Sequence, residues 1–181
     1  MVQVYKEKVR SNFDGTIIDI ETIGSFRRAY SDSRRYKDII PVIFGFIDQE
    51  GLTIHCAKRM ESINKLKEEI KKILPKLKRP FHAFNSVFER GAFFHQLGEQ
   101  VLFEKELNKE RFEGKRLAVS TLKIPQYNDP FNDKGELCMA AWLKGELEKA
   151  VAHNRSCLLK ERDILFKRGF REPDELKLID D

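Results

Sequence analysis

The sequence has little cysteine and no long apolar run. Its three cysteines lie far apart, at positions 56, 138 and 157, and none belongs to a CxxC pair. That pattern favours reduced thiols over a disulfide framework or a zinc site. No apolar stretch approaches the ~20 residues of a membrane span, and the opening MVQVYKEKVR lacks the apolar core of a secretory signal. We therefore expect a cytoplasmic protein that has no membrane partner.

The sequence also lacks the short motifs of several enzyme classes. It contains no GxxxxGK[ST], GxGxxG or GxSxG, so the enzyme classes that carry these motifs are not supported. The four histidines, at positions 55, 82, 95 and 153, have no metal-ligand spacing. There is no internal repeat or low-complexity linker, and 181 residues suit one domain, which we assign to 1–181.

The sequence does contain a pattern of short strands followed by helices. Residues 118–124 fit either a strand or a helix. Taken together, the segments predict an α/β fold with a mixed sheet flanked by helices and with the strand at 15–21 in a central position. The strand-like segments are 15–21, 39–48, 52–57 and 79–85, and the helix-like segments are 61–78, 86–98 and about 137 or 146 to 168.

Two carboxylates interrupt the predicted central strand, GTIIDIETIG. Asp19 and Glu21 are two residues apart, so on a strand they project from the same face, while Ile18 and Ile20 take the other. Two like charges on a half-buried face repel each other and lose hydration. A bound divalent cation would compensate for this, since such ions take oxygen ligands. Alternatively, both acids lie at the strand end, solvated or paired with arginine.

Basic residues are concentrated in two places. Residues 23–37 hold five Lys or Arg against one acid, with Tyr30 and Tyr36 among them, and residues 58–79 hold nine against three. Clustered basic residues with aromatic neighbours suit a polyanion such as nucleic acid. For the segment 58–79, a solvated helix face explains the charge as well.

Further polar candidates lie on the later helices. Glu89 follows a predicted strand, where it could face Asp19; alternatively, Ser86 and Glu89 form a helix capping box. On the last helix, Asn154 and Glu161 fall on a face that should be packed, which leaves either a functional role or an internal partner such as Arg155 or Arg162. His153 on this helix is a functional candidate, or else a surface or core histidine.

Three of these segments resemble the motifs of the DEDD (DnaQ-like) 3′–5′ exonucleases of the RNase H-like superfamily. They are DIET on the first predicted strand, FNSVFE at a strand-to-helix turn and HNRSC on the last helix, and they span residues 15–168. The resemblance implies an RNase H-like mixed five-stranded sheet flanked by helices. It also implies hydrolysis of DNA or RNA from the 3′ end by a two-metal-ion mechanism that uses Mg²⁺ or Mn²⁺.

The same resemblance implies roles for particular residues. Asp19, Glu21 and Glu89 would be catalytic metal ligands, and His153 would be the general-base candidate. The residues expected to contact the nucleic acid are Thr22, Ile23, Gly24, Asn85, Phe88, Asn154, Arg27 and Arg28.

The chain departs from the family pattern at two positions. Glu89 stands where Asp is usual, which keeps a carboxylate, and Cys157 stands where the third motif usually has Asp. A thiolate is a poor ligand for Mg²⁺, so we interpret Cys157 as a packing residue and expect Glu161 to supply the fourth carboxylate. The missing acid also supports an alternative function, a catalytically impaired RNase H-like module that only binds nucleic acid.

Overall fold

The structure is a computed structural model that describes residues 1–180. In that range it has one six-stranded mixed sheet, five α-helices and three short 3-10 helices. The strands are β1 Val2–Glu7, β2 Thr16–Ile23, β3 Ile40–Asp48, β4 Gly51–Ala57, β5 Phe81–Ala83 and β6 Lys105–Glu106. The helices are α1 Ile63–Ile73, α2 Ser86–Leu97, α3 Lys115–Thr121, α4 Gly135–Leu143 and α5 Leu147–Arg168. The 3-10 helices are Ser33–Tyr36, Met60–Ser62 and Leu74–Lys76.

The sheet confirms the predicted fold class. Its strand order is β1-β4-β3-β2-β5-β6, in which β1, β4, β3 and β2 pair antiparallel and β2, β5 and β6 pair parallel. An α/β fold with such a mixed sheet flanked by helices is consistent with the RNase H-like class. As predicted, β2 is central, since β3 and β5 pair with its two sides.

The strand count differs from the expected five. The N-terminal segment forms β1, which pairs along its length with β4, and the two-residue β6 lies in a charged segment without a strand pattern. Residues 118–124, which fit either element, contribute to α3 instead. The two unpredicted strands lie at the edges of the sheet, where one side of a strand has no partner and the sequence is less constrained.

The helix boundaries follow local signals in the sequence. The first predicted helix ends as α1 at Ile73, and the next turn, which holds Pro75, is a 3-10 helix. Gly98 adopts the left-handed conformation that ends α2, and Gly169 follows the last residue of α5. None of the helices in residues 1–180 combines the length and apolar character that crossing a bilayer requires.

Two neighbouring residues of β3 show how the helices cover the sheet. The ring of Phe44 packs edge-on against Phe93 of α2, whereas Gly45 lies against Asn154 and Leu158 of α5. Successive strand residues point to opposite faces, so α2 and α5 cover opposite faces of the sheet. Gly45 pairs with Asp19 across the ladder, which places the acids of β2 on the α5 side.

Candidate functional site

An open cavity of about 440 Å³ lies beside the C-terminal half of β2. Its wall includes most residues of the segment Asp19–Gly24, the turn around Asn85–Glu89, and His153 and Cys157 of α5. The three sequence segments that resemble exonuclease motifs therefore meet at one place in the fold.

Three carboxylates line this cavity, and a fourth lies buried behind Lys115. Asp19 and Glu21 from β2 and Glu89 from the first turn of α2 line its wall, and each is between 4 % and 9 % exposed. Glu161 of α5 is fully buried and reaches the cavity through Lys115, whose ammonium lies 2.6 Å from Glu161 and 3.0 Å from Asp19. Glu161, expected as the fourth acid, is thus linked to Asp19 by a shared cation.

The alternative role of Glu89 in a capping box is wrong. Both the backbone N–H and the hydroxyl of Ser86 donate to Glu106, which leaves Glu89 out of the cap. Oε2 of Glu89 is buried and has no hydrogen-bond donor among residues 1–180. Its carboxylate therefore belongs to the cavity wall.

Lys115 is the cation that stands among these acids. It is the first residue of α3, directly after Gly114, and its ammonium is largely buried. This ion pair replaces the internal arginine partner considered for Glu161, since Arg155 pairs with Glu7 and Arg162 with Asp163. Lys115 pairs with Glu161 Oε1, whereas Glu161 Oε2 has no donor in the described part of the chain.

Asn154 orients Asp19 from α5. Its Nδ2 atom donates to Asp19 Oδ2 at 2.7 Å and lies 3.3 Å from the backbone oxygen of the same residue. Asn154 is fully buried, which corrects the expectation that it contacts the nucleic acid. Gly45 makes the contact possible, because a Cβ atom there would lie 2.0 Å from Asn154 Oδ1 and 2.8 Å from Leu158.

We expect Gly45→Ala to destabilise the protein by about 1–3 kcal/mol, the cost of overpacking a tight interface. The added methyl group displaces Asn154, so Asp19 loses its amide donor. Urea unfolding measures the loss, and Gly135→Ala is the matched control, because a Cβ atom there meets nothing within 4 Å. Equal stability of the two variants would contradict this account of Gly45.

Asp129 fixes His153 through the Nδ1 atom of its ring. The Nδ1 atom of His153 lies 2.8 Å from Asp129 Oδ1, and Lys160 donates to the other carboxylate oxygen at 2.8 Å. Lys160 also donates to Asp133 at 2.7 Å, and both Asp129 and Lys160 are buried. The loop at 125–136 therefore contributes to a buried ionic network that orients His153.

Burial and mutual repulsion raise the pKa values of the acids. Burial raises the pKa of Glu21 to about 7, with His153 opposing and Asp19 reinforcing the rise. Burial raises the pKa of Glu89 as well, and the charges of Asp19 and Glu161 add to it. For His153, burial lowers the pKa, but Cys157, Glu21 and Asp129 outweigh it and raise the value to about 11. The metal-free cavity therefore holds protons up to and beyond neutral pH.

The stability of the metal-free protein should fall as the pH rises from about 5 to about 8. Unfolded carboxyls ionise near pH 4.5, whereas folded Glu21 keeps its proton until about pH 7, so unfolding releases protons in between. The raised pKa of His153 acts in the same direction, because its contribution is complete below its unfolded pKa and is lost as the pH rises toward about 11. Glu21 alone corresponds to a loss on the order of 3 kcal/mol.

Thermal unfolding in a chelating buffer at several pH values measures this dependence. Glu89→Gln, which mimics the protonated acid, should flatten the fall in Tm, whereas Glu68→Gln on the exposed surface should leave it unchanged. A Tm that rises between about pH 5 and about pH 8 would show that the acids are ionised in the folded state.

Of the other residues predicted to contact nucleic acid, some line the cavity and some do not. Thr22, Gly24, Asn85 and Phe88 line the cavity. Ile23 does not, because it is 7 % exposed and packs in the apolar core. The ladder between β2 and β3 shifts register between Glu21 and Thr22, and such a bulge changes the direction of the side chains that follow.

The arginines of the loop after β2 lie outside the cavity wall. Arg27 donates to Asp38 at 2.7 and 3.0 Å, and Arg28 is exposed. In the same loop, Arg34 donates to Asp32 and lies over the ring of Tyr30, while Arg35 lies over Phe26, which itself lines the cavity. The loop therefore presents cationic groups next to the opening.

Sequence reasoning missed Lys115, Asp129 and Lys160. No local signal marks Lys115 as different from the other 33 lysines and arginines, because its partners lie 46 and 96 residues away in the chain. Asp129 had a weak signal, since Asp before Pro in YNDP is typical of a turn whose carboxylate accepts backbone N–H groups, as it does from Phe131 and Asp133.

Comparison of the chain with protein-family models, with curated proteins and with solved structures finds no match. The functional interpretation therefore rests on the geometry of the cavity and on the resemblance of its motifs.

Proposed function

We propose that this protein is a metal-dependent 3′–5′ exonuclease that hydrolyses phosphodiester bonds of DNA or RNA. One observation carries the proposal: three largely buried carboxylates from β2 and α2 line one open cavity, and a fourth, Glu161 of α5, pairs with Lys115 in the same wall. Acids buried close together lose hydration and repel one another, and bound cations compensate for that cost. The 3′–5′ direction rests on the resemblance of the motifs.

The donor atoms of the cavity fit divalent metal ions. Mg²⁺ and Mn²⁺ prefer oxygen ligands, and Glu89 Oε2 and Glu161 Oε2 have no hydrogen-bond donor among residues 1–180. Asp19, Glu21, Glu89 and Glu161 would hold two such ions. When bound, these ions lower the pKa of an attacking water and stabilise the leaving 3′ oxygen.

The protein groups around the acids would orient the substrate. Phe88 packs edge-on against Phe26 and Tyr36, which gives the cavity an aromatic wall against which a terminal sugar or base can pack. Asn85 lines the cavity, and its Oδ1 atom has no donor in the described chain, so it can accept from a sugar hydroxyl or base. Arg28 on the adjacent loop would contact phosphate.

His153 is the proposed general base, with a condition on its protonation. As an imidazolium, hydrogen-bonded to Asp129 and 3.8 Å from Glu21, it cannot accept a proton. It acts as a base only after it has lost a proton, and bound cations would promote that loss by offsetting the negative charge of Glu21.

A second candidate function is a nucleic-acid-binding module without catalysis. Lys115 favours it, because its ammonium already lies within 3.0 Å of both Asp19 and Glu161, where a metal ion would compete for the same oxygens. Such a module would bind polyanions in a salt-dependent manner through Arg27, Arg28 and the neighbouring arginines of the loop.

The first test is a nuclease assay with 5′-labelled single-stranded DNA and RNA in Mg²⁺, in Mn²⁺ and in a chelator. We expect a ladder of products shortened from the 3′ end that requires metal, and protection of an oligonucleotide whose 3′ end carries a phosphate. Cleavage of a circular strand would contradict an exonuclease. Oligonucleotide binding with no cleavage in either metal would favour the second candidate.

A further inference from the structure

One corner of the cavity carries a mixed set of metal-ligand atoms. Glu21 of β2 faces His153 and Cys157, which lie one turn apart on α5. The Nε2 atom of His153 is 3.7 Å from Cys157 Sγ and 3.8 Å from Glu21 Oε1, and the three ligand atoms all lie within 4.8 Å of one another. Both α5 residues are almost completely buried.

These distances match tetrahedral coordination by a small transition-metal ion. With Zn–N near 2.0 Å and Zn–S near 2.3 Å, tetrahedral ligand atoms lie about 3.5 Å apart. The two distances from His153 Nε2 exceed this by a few tenths of an ångström, and Glu21 and Cys157 lie within 4.8 Å of each other. The set of one nitrogen, one sulfur and one oxygen suits Zn²⁺ and Co²⁺. It does not suit Mg²⁺, which takes oxygen ligands in octahedral geometry.

The surroundings of His153 are those of a metal-bound histidine. Its Nδ1 atom is hydrogen-bonded to Asp129, which leaves Nε2 directed toward Glu21 and Cys157. Asp129 is itself fixed by Lys160 and by the backbone N–H groups of Phe131 and Asp133. A carboxylate behind the histidine fixes the ring and increases its basicity toward a metal.

We propose that Glu21, His153 and Cys157 bind one Zn²⁺ ion, with the fourth coordination position open to water or to a substrate oxygen. Binding releases the thiol proton of Cys157 and the Nε2 proton of His153 to solvent, so that a thiolate and a neutral imidazole coordinate the metal. The site shares Glu21 and His153 with the proposed nuclease centre, and a Zn²⁺ ion on Nε2 would prevent His153 from acting as the general base. Zn²⁺ binding itself does not depend on nuclease activity. It gives Cys157 a function where the sequence indicated a packing residue.

Titration of the chelator-treated protein with Co²⁺ tests the site directly. We expect a thiolate-to-cobalt charge-transfer band that saturates with one equivalent of Co²⁺ and that Zn²⁺ then removes by displacement. Cys157→Ala should abolish the band and His153→Ala should weaken Co²⁺ binding at least tenfold. Cys56→Ala is the matched control, because Cys56 is buried in β4 and is not part of this cluster.

Asp129→Asn tests the residue behind the histidine. It should weaken Zn²⁺ binding by roughly 10–100-fold while the band persists at saturating Co²⁺. Circular dichroism of each variant ensures that a lost band reflects a lost ligand in a folded protein.

Three results would overturn the proposal: no charge-transfer band in the wild-type protein, a band that survives in Cys157→Ala, or a band lost in Cys56→Ala. Because the readout is spectroscopic, it is separable from the proposed function. If the protein binds Co²⁺ through Cys157 but cleaves no oligonucleotide, the zinc-site proposal is supported and the exonuclease proposal is contradicted. If it cleaves oligonucleotides but shows no thiolate band, the exonuclease proposal is supported and the zinc-site proposal is contradicted.

Discussion

Asp19→Asn should reduce metal-dependent hydrolysis by at least about 100-fold, since removal of outer-shell partners alone costs metal sites roughly 10–100-fold. Asp19 is central to the cavity: one carboxylate oxygen lies 3.0 Å from Lys115 and the other accepts from Asn154 at 2.7 Å. Asparagine keeps the shape of the side chain but removes the negative charge that a divalent cation needs. The initial rate on a 5′-labelled oligonucleotide in Mn²⁺ measures the effect.

Asp48→Asn provides the matched control for this experiment. Asp48 ends the neighbouring strand β3, where its carboxylate accepts the backbone N–H of Glu50, and it lies outside the cavity wall. Its variant should keep wild-type activity. If Asp19→Asn retains metal-dependent cleavage while folding normally, the carboxylates of β2 do not form the catalytic metal site.

Lys115→Met should destabilise the metal-free protein by about 3–5 kcal/mol at a pH near 8, where the acids are most fully ionised. Removing one partner from a buried ionic cluster leaves uncompensated charge, which is among the costliest single changes in a protein. Asp19 and Glu161 both lose their ammonium partner in this variant. Urea unfolding in a chelating buffer measures the loss.

The same variant should regain stability when Mn²⁺ is added. A divalent cation that binds the folded state only stabilises it by mass action, and without Lys115 it no longer competes with an internal ammonium. We therefore expect a larger metal-induced rise in Tm for Lys115→Met than for the wild type. Lys109→Met, which removes an exposed lysine from the preceding loop, should behave as the wild type does. Equal metal-induced shifts in Lys115→Met and the wild type would argue against competition between Lys115 and a cation.

Local sequence patterns were sufficient to predict most of the fold. Short apolar runs predicted β2, β3 and β4, and Gly98 and Gly169 marked the ends of α2 and α5, because backbone geometry limits which residues such helix ends accept. The strand alternation also predicted that Asp19 and Glu21 share a face. Edge strands β1 and β6 escaped prediction, since their stability comes from a partner strand and not from their own composition.

The sequence by itself determined which acids are available and on which elements they lie. Only the tertiary structure decided which cation compensates their negative charge. Lys115 pairs with Asp19, 96 positions away in the chain, and with Glu161, 46 positions away. It also decided that Asn154 orients Asp19, that Asp129 fixes His153, and that Cys157 faces Glu21. Such contacts depend on side chains brought together by packing of α5 against the sheet and of α3 against α5, and no periodicity within one segment encodes them.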